Sequence, residues 1–183
     1  PNNKIIIIDN GSNYQYIENI NLEKTTIIHH NKNKSGEILP FYYFLQQKWS
    51  KYMIYLHDSM FLNRPLCSEK LNVKQFRFFW HFYPGCHDDR RIIKHQLNVL
   101  ENSEPLENLF SNKYRPDWFG CFGLSCVMSL EFLEFIEKKH RFTNLVNHVN
   151  NRNDRKGLER ILGLLCSYYD LNAVADSYFG PVC

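Results

Sequence analysis

No run in this 183-residue sequence is apolar for long enough to cross a bilayer. No signal-peptide pattern opens it and no polybasic tail closes it, so the expectation is a cytoplasmic protein with no transmembrane segment. Charge of one sign is also scarce. Lys and Arg number 22 against 19 Asp and Glu, a net charge of +3. No basic stripe is present, which argues against nucleic acid as a partner. The six cysteines contain no Cys-x-x-Cys pair and read as reduced, mostly buried thiols, not as a zinc site or a disulfide framework. There is no Walker loop, no His-Glu-x-x-His and no kinase motif set. Asn10-Gly11-Ser12 fits the glycosylation sequon, which means little without a secretory signal. The chain begins at Pro1 and not at Met, which reads as an excised or processed piece.

What is plentiful is aromatic residues, with 14 Phe and 11 Tyr. The length suits a single domain over residues 1–183, with a core that needs no staples. Apolar stretches at residues 4–8, 25–29 and 52–56 read as buried strands. Residues 37–49 carry apolar residues on helical spacing. Strand, strand, helix, strand predicts an α/β sheet with at least one parallel crossover. Further on, residues 76–82 read as one strand, and Asp88-Asp89 opens a helix to about Leu100. A short helix follows at 106–110, then a strand at 117–122. Residues 124–138 read as the clearest helix, and 144–149 as a short one. A long helix over 154–169 is expected to be capped by Asp154.

Three polar clusters stand at the ends of these elements. The first is His57-Asp58-Ser59, directly after the third strand. Ligands of open α/β sheets bind beyond the carboxyl ends of strands, so Asp58 is a candidate for metal or phosphate. The rival reading makes it a turn cap. The three side chains, being consecutive, are expected to diverge and not to form a relay. The second cluster is Asp9-Asn10 together with the loop 29–36, which contains His29, Asn31, Lys32 and Lys34 and ends in Gly36 before a helix. Backbone N–H groups and lysines there suit a phosphate. The third is Arg152, Asp154, Arg155, Glu159 and Arg160. Arg forks suit bidentate phosphate or carboxylate contact, while Arg155 and Glu159 at i, i+4 also fit a plain surface ion pair. Trp118 and Phe119, beside Gly120 and Gly123, offer an apolar face to a sugar or simply pack in the core.

Taken in order, Gly36-Glu37-Ile38-Leu39-Pro40, Tyr55-Leu56-His57-Asp58-Ser59-Met60, Gly120-Cys121-Phe122-Gly123 opening a helix, and Arg152-Asn153-Asp154-Arg155 with Leu158-Glu159-Arg160 form a set. That set resembles small GT-A-type glycosyltransferase-like proteins of giant DNA viruses and bacterial polysaccharide clusters. The resemblance spans about residues 25–165. It implies a three-layer α/β domain of GT-A type (Rossmann-like), with a central mixed sheet and helices on both faces. It implies a nucleotide-sugar donor, commonly a UDP-sugar, a glycan or glycoprotein acceptor, and the host cytoplasm if the source is viral. It further implies that Asp58 takes the part of an Asp-x-Asp motif holding Mn or Mg. Here the third position is Met60, so one carboxylate stands alone. On this reading Asp9, Asn10, His29, Asn31, Lys34, Gly36, His57, Asp58 and Arg155 face the nucleotide. Asp117, Asp154 and Glu159 are rival bases for the acceptor hydroxyl. The alternative is a catalytically idle domain of this type that binds a glycan or a partner protein.

Overall fold

The computed structural model describes residues 3–13, 15, 22–31, 35–60, 62–71, 73–85, 88–112 and 117–182. It is a mixed α/β structure. Strands β1 (Ile5–Asp9) and β2 (Thr25–His29) pair in parallel, Ile5 opposite Thr25 and Asp9 opposite His29. A 3-10 turn (Gly36–Ile38) leads into α1 (Leu39–Gln47), with Pro40 in its first turn as expected. Then come β3 (Tyr52–Tyr55), α2 (Ser68–Leu71), β4 (Phe76–Phe78) and β5 (His81–Phe82). Helices α3 (Arg90–Leu97) and α4 (Glu104–Ser111) precede β6 (Gly120–Cys121). A 3-10 turn (Phe122–Leu124), β7 (Cys126–Ser129), α5 (Leu130–His140), a 3-10 stretch (Phe142–Asn147) and α6 (Arg152–Ala175) complete the order.

Among the described residues the ladders form three sheets and not one: β1-β2, β3-β7-β4 and β5-β6. In the three-stranded sheet β7 is the middle strand and runs antiparallel to both neighbours. Cys126 and Met128 belong to the main core, which α1 and α3 to α6 also build. Val127 joins a smaller cluster with Val73 and Phe79, flanked by Leu56, Leu66, Leu71, Trp80 and Tyr178.

Several expectations are corrected. The helix expected over 124–138 begins at Leu130, because Cys126–Ser129 is a strand buried on both faces. A strand covered on both sides has no alternation, so its apolar run imitates a helix. Gly120-Cys121-Phe122-Gly123 therefore leads into a strand, not a helix. The strand expected over 76–82 breaks at Phe79-Trp80, where the chain passes from one sheet to the next. The strand expected over 117–122 shrinks to Gly120–Cys121. The first three strands are not fully buried. Ile5, Ile7, Ile27, Tyr52 and Ile54 are exposed, since β1-β2 is a two-stranded ribbon and β3 is an edge. The last helix starts two residues early. Asn151, not Asp154, is its cap and accepts from the N–H groups of Asn153 and Asp154. Helix α3 starts beside Asp88-Asp89 as expected, and Asp89 is its cap, accepting from the Arg91 and Ile92 N–H groups.

Helix α6 is the spine. Its buried face runs from Gly157 to Ser167 and packs on α3, α4, β4 and β6. Gly163 is required for that approach, since a Cβ there would lie 2.1 Å from the Phe119 carbonyl oxygen. Near the other end of the core, His140 ties α5 to α6. Its Nδ1–H donates to the Glu101 carbonyl at 2.9 Å, so the neutral ring's Nε2 accepts from the Tyr169 hydroxyl at 2.7 Å. Burial holds the His140 and His81 imidazoles below their ordinary pKa. A folded-state pKa below the unfolded value gives stability that is present above about pH 6.5 and is lost as pH falls through the folded pKa. The melting temperature is therefore expected to fall between pH 7.5 and pH 5.5. The drop should be smaller in His140→Gln, which has no proton to take up. Equal drops in both proteins, followed by thermal melts at the two pH values, would refute this role for His140.

Candidate functional site

Five segments meet around one polar cluster: the turn at Gly36-Glu37, the end of β3, the turn at Gly123, the segment before α3 and the first turns of α6. The chain leaves β3 through Leu56 and turns sharply, with the Met60 N–H donating to the His57 carbonyl. That turn folds the three consecutive polar side chains together. His57 Nδ1 lies 2.8 Å from both Asp58 Oδ1 and Ser59 Oγ. The expected divergence of these side chains is thus corrected, because a β-turn and not an extended chain carries them. On its other side His57 Nε2 is 3.4 Å from Glu37 Oε1. The Asp58 side chain is 91 % exposed, so its carboxylate faces solvent and no core contact depends on it.

Glu37 is the hub that the sequence reading missed. Its side chain is only 15 % exposed. Arg155 Nε stands 3.7 Å from Glu37 Oε2, an ion pair too long to be a hydrogen bond. Among the described residues this buried oxygen has no hydrogen-bond partner. The signal was present in the sequence: Glu37 directly follows Gly36, itself a candidate. Gly36 fits against the Arg155 stem, where a Cβ would come within 2.8 Å of Arg155 Cδ, and its φ is +50°. Its N–H donates to Asn10 Oδ1 at 3.0 Å, which joins the end of β1 to the cluster.

Glu159 closes the other side. Its Oε1 accepts from the Gly123 N–H at 2.9 Å and its Oε2 from Arg160 at 2.7 Å. Gly123 has a φ of +58°, the left-handed region that suits glycine. Burial pushes the Glu159 carboxyl above its ordinary value, against the Gly123 bond and the Arg160 charge, while the Glu37 charge adds to the rise. Arg160 is buried, pairs with Asp88 at 2.8 Å and stacks its guanidinium over Phe82 at 4.3 Å. Asp88, expected only as a helix-start acid, and Arg160, a candidate for phosphate or carboxylate contact, are instead paired with each other and hold Glu159 in place. Burial and the Glu37 charge also raise the Tyr55 phenol well above its ordinary value.

The expected surface ion pair between Arg155 and Glu159 is replaced by other partners: Glu37 for Arg155, and the Gly123 N–H with the adjacent Arg160 for Glu159. Asp58, His57, Gly36, Asn10, Arg155 and Glu159 are thus brought together. Asp154 is not: its carboxylate accepts from the Asn150 N–H and the Asn151 amide, stiffening the helix entry. Asp117 is also set apart. It precedes Phe119, whose N–H donates to Ser167 Oγ, about 12 Å along α6 from Glu159. Asp9 and His29 face each other at 3.2 Å across the ends of β1 and β2, beside Asn10. Asn31 is exposed. Lys32 and Lys34 lie outside the described residues. Trp118 is buried against Phe110, and Phe119 packs on His81 and Tyr83, so these two do not form an open apolar face.

Among the described residues no group of three His, Cys, Asp or Glu is arranged to ligate a metal. The third position of the motif is turned inward, with Met60 Sδ 3.2 Å from Ser125 Oγ. A cation would find one protein carboxylate, Asp58, and would need ligand oxygens and waters for the rest, a mode that suits Mg. Comparison with family models, with curated proteins and with solved structures returns no match. No helix among the described residues is long and apolar enough to cross a membrane.

Proposed function

We propose that the chain is a glycosyltransferase of GT-A type that moves a sugar from a nucleotide-diphosphate donor, a UDP-sugar, to a glycan hydroxyl. The observation that carries this reading is the convergence of exposed Asp58, the Arg155 guanidinium and the partly buried Glu159 carboxylate on one cluster at a strand end. The parallel β1-β2 pair, with Asp9, Asn10 and His29 at its carboxyl end, supports a nucleoside position beside that cluster. The three-layer arrangement belongs to the same proposal.

In this reading the acceptor oxygen forms a bond to the anomeric carbon while the bond from that carbon to the diphosphate oxygen breaks, its electron pair leaving with the diphosphate. Glu159 takes the acceptor proton, its raised pKa matching that task. Arg155 draws the diphosphate by charge and hydrogen bonding. Asp58 would hold Mn or Mg, which when bound neutralises charge on the leaving group. Glu37 orients His57 and Arg155. The idle-domain alternative rests on Met60, which leaves the motif with one carboxylate.

Both readings are separated by a thermal-shift titration with UDP and UDP-sugars, with and without Mn. A ligand at 100 times its Kd adds about 2.7 kcal/mol to the folded state. That corresponds to a rise of several degrees in a chain of this size. No shift at millimolar ligand under either condition would dismiss the donor site and leave the idle domain.

A further inference from the structure

The polar cluster continues, contact by contact, into an aromatic surface that the proposed transfer chemistry does not use. Gly123 holds Glu159 by its N–H, and the residue before it, Phe122, is 46 % exposed. Just past the β5-β6 pair, the Phe122 N–H donates to the Trp80 carbonyl at 3.2 Å. Trp80 in turn stacks on Phe179, with centroids 4.6 Å apart at 25°. Phe179 is 49 % exposed. It is held in place by the tail of the chain, where the Tyr178 and Phe179 N–H groups donate to the Phe78 and Phe79 carbonyls at 2.8 Å. Backbone bonds thus anchor the segments that carry these rings; Phe122 and Phe179 keep open surface, while Trp80 is half-buried between Phe179 and the smaller core cluster.

We infer that Phe122, Trp80 and Phe179 form the acceptor subsite, a platform for the apolar face of a neutral hexose ring. The inference rests on the transferase reading and deepens it. Its support is position and charge. One contiguous strip runs from Asn10 through Gly36, Arg155, Glu37, His57 and Gly123 to Phe122. The nucleoside and diphosphate are assigned to its polar end, so the aromatic end, adjoining the Glu159 base, is where an acceptor hydroxyl must arrive. Aromatic faces carry negative charge density and attract the slightly positive C–H groups of a pyranose. Glu159 and Asp58 at the edge disfavour an anionic sugar, because Arg160, the nearby cation, is already paired to Asp88 and Glu159. Sites of this kind combine apolar walls with a few fixed polar groups.

The test is saturation-transfer NMR of the full chain with maltotriose, chitotriose and mannotriose, each with and without UDP. At least one trisaccharide should bind, and Phe122→Ala and Phe179→Ala should each weaken it about tenfold, the loss expected for one ring contact. The UDP thermal shift should be unchanged in both variants. Absence of binding by all three sugars, or binding that survives both substitutions, overturns the platform. Equal loss of UDP binding also overturns it, since the rings would then hold the nucleobase. Failure of UDP to bind the unaltered chain sinks the transferase reading alone. A trisaccharide still held through Phe122 in that case upholds the platform, as part of a glycan-binding domain.

Discussion

Asp58→Asn is expected to lower sugar transfer by about 100- to 1,000-fold, the usual cost of removing one preorganised partner of the leaving charge. The melting temperature should move by no more than about 2 °C, because substitutions of exposed side chains stay within about 0.5 kcal/mol. The expectation comes from geometry. The carboxylate is 91 % exposed, and its contact with His57 Nδ1 is shared with Ser59 Oγ. A residue so placed contributes little to folding and stands free to meet a ligand. Purified variant and parent would be compared in a donor-turnover assay and a thermal melt. A variant with full transfer would make Asp58 a turn residue only. One that unfolds would show that the β-turn needs the charge.

How far the sequence revealed this arrangement depended on whether local pattern or distant packing decided each element. Residues 25–29 and 52–56 were legible as strands because β-branched and aromatic runs ended in polar residues. The start of α3 was legible from Asp88-Asp89, because the acids that favour a helix start, and the N–H groups Asp89 caps, are close in sequence. Residues 126–129 were not, since a middle strand covered on both faces shows no alternation. Asn151, Asn153 and Asp154 are all good cap formers, and only the backbone decides that Asn151 takes the role.

The same division runs through the site. Asp58, Arg155 and Glu159 stood out because they follow or open regular elements. Glu37 was passed over since nothing local shows that its carboxylate is the one facing both His57 and Arg155. The i, i+4 spacing of Arg155 and Glu159 suggested a pair worth a few tenths of a kcal/mol. Glu37 and the Gly123 N–H, both supplied by folding, displaced it, with the adjacent Arg160 as the second partner of Glu159. The expected apolar face was placed on Trp118 and Phe119, whereas the open ring in that segment is Phe122.

Glu159→Gln should reduce transfer by about 100- to 10,000-fold, the range spanned by a positioned general base. The amide can still accept from the Gly123 N–H, and Arg160 keeps Asp88, so the cost in stability should be roughly 1–3 kcal/mol. Glu159→Ala should cost more, about 3 kcal/mol or above, because a buried guanidinium and a backbone N–H both lose a partner. The pH dependence adds a second readout. The Glu159 carboxyl is raised above 4.5 by burial, so as a base it should set the acidic limb of the rate profile above that value. Its contribution to stability has the opposite sense to that of His140. A raised folded pKa means stability that is complete below the unfolded value and declines as pH rises through the folded one. In Glu159→Gln the acidic limb should vanish while the UDP thermal shift remains. A variant that retains transfer, or keeps the limb unchanged, would remove Glu159 as the base and leave it the task of holding Gly123 and Arg160. Loss of the UDP shift together with transfer would instead make Glu159 part of the donor site, because a base for the acceptor hydroxyl has no reason to touch the nucleotide.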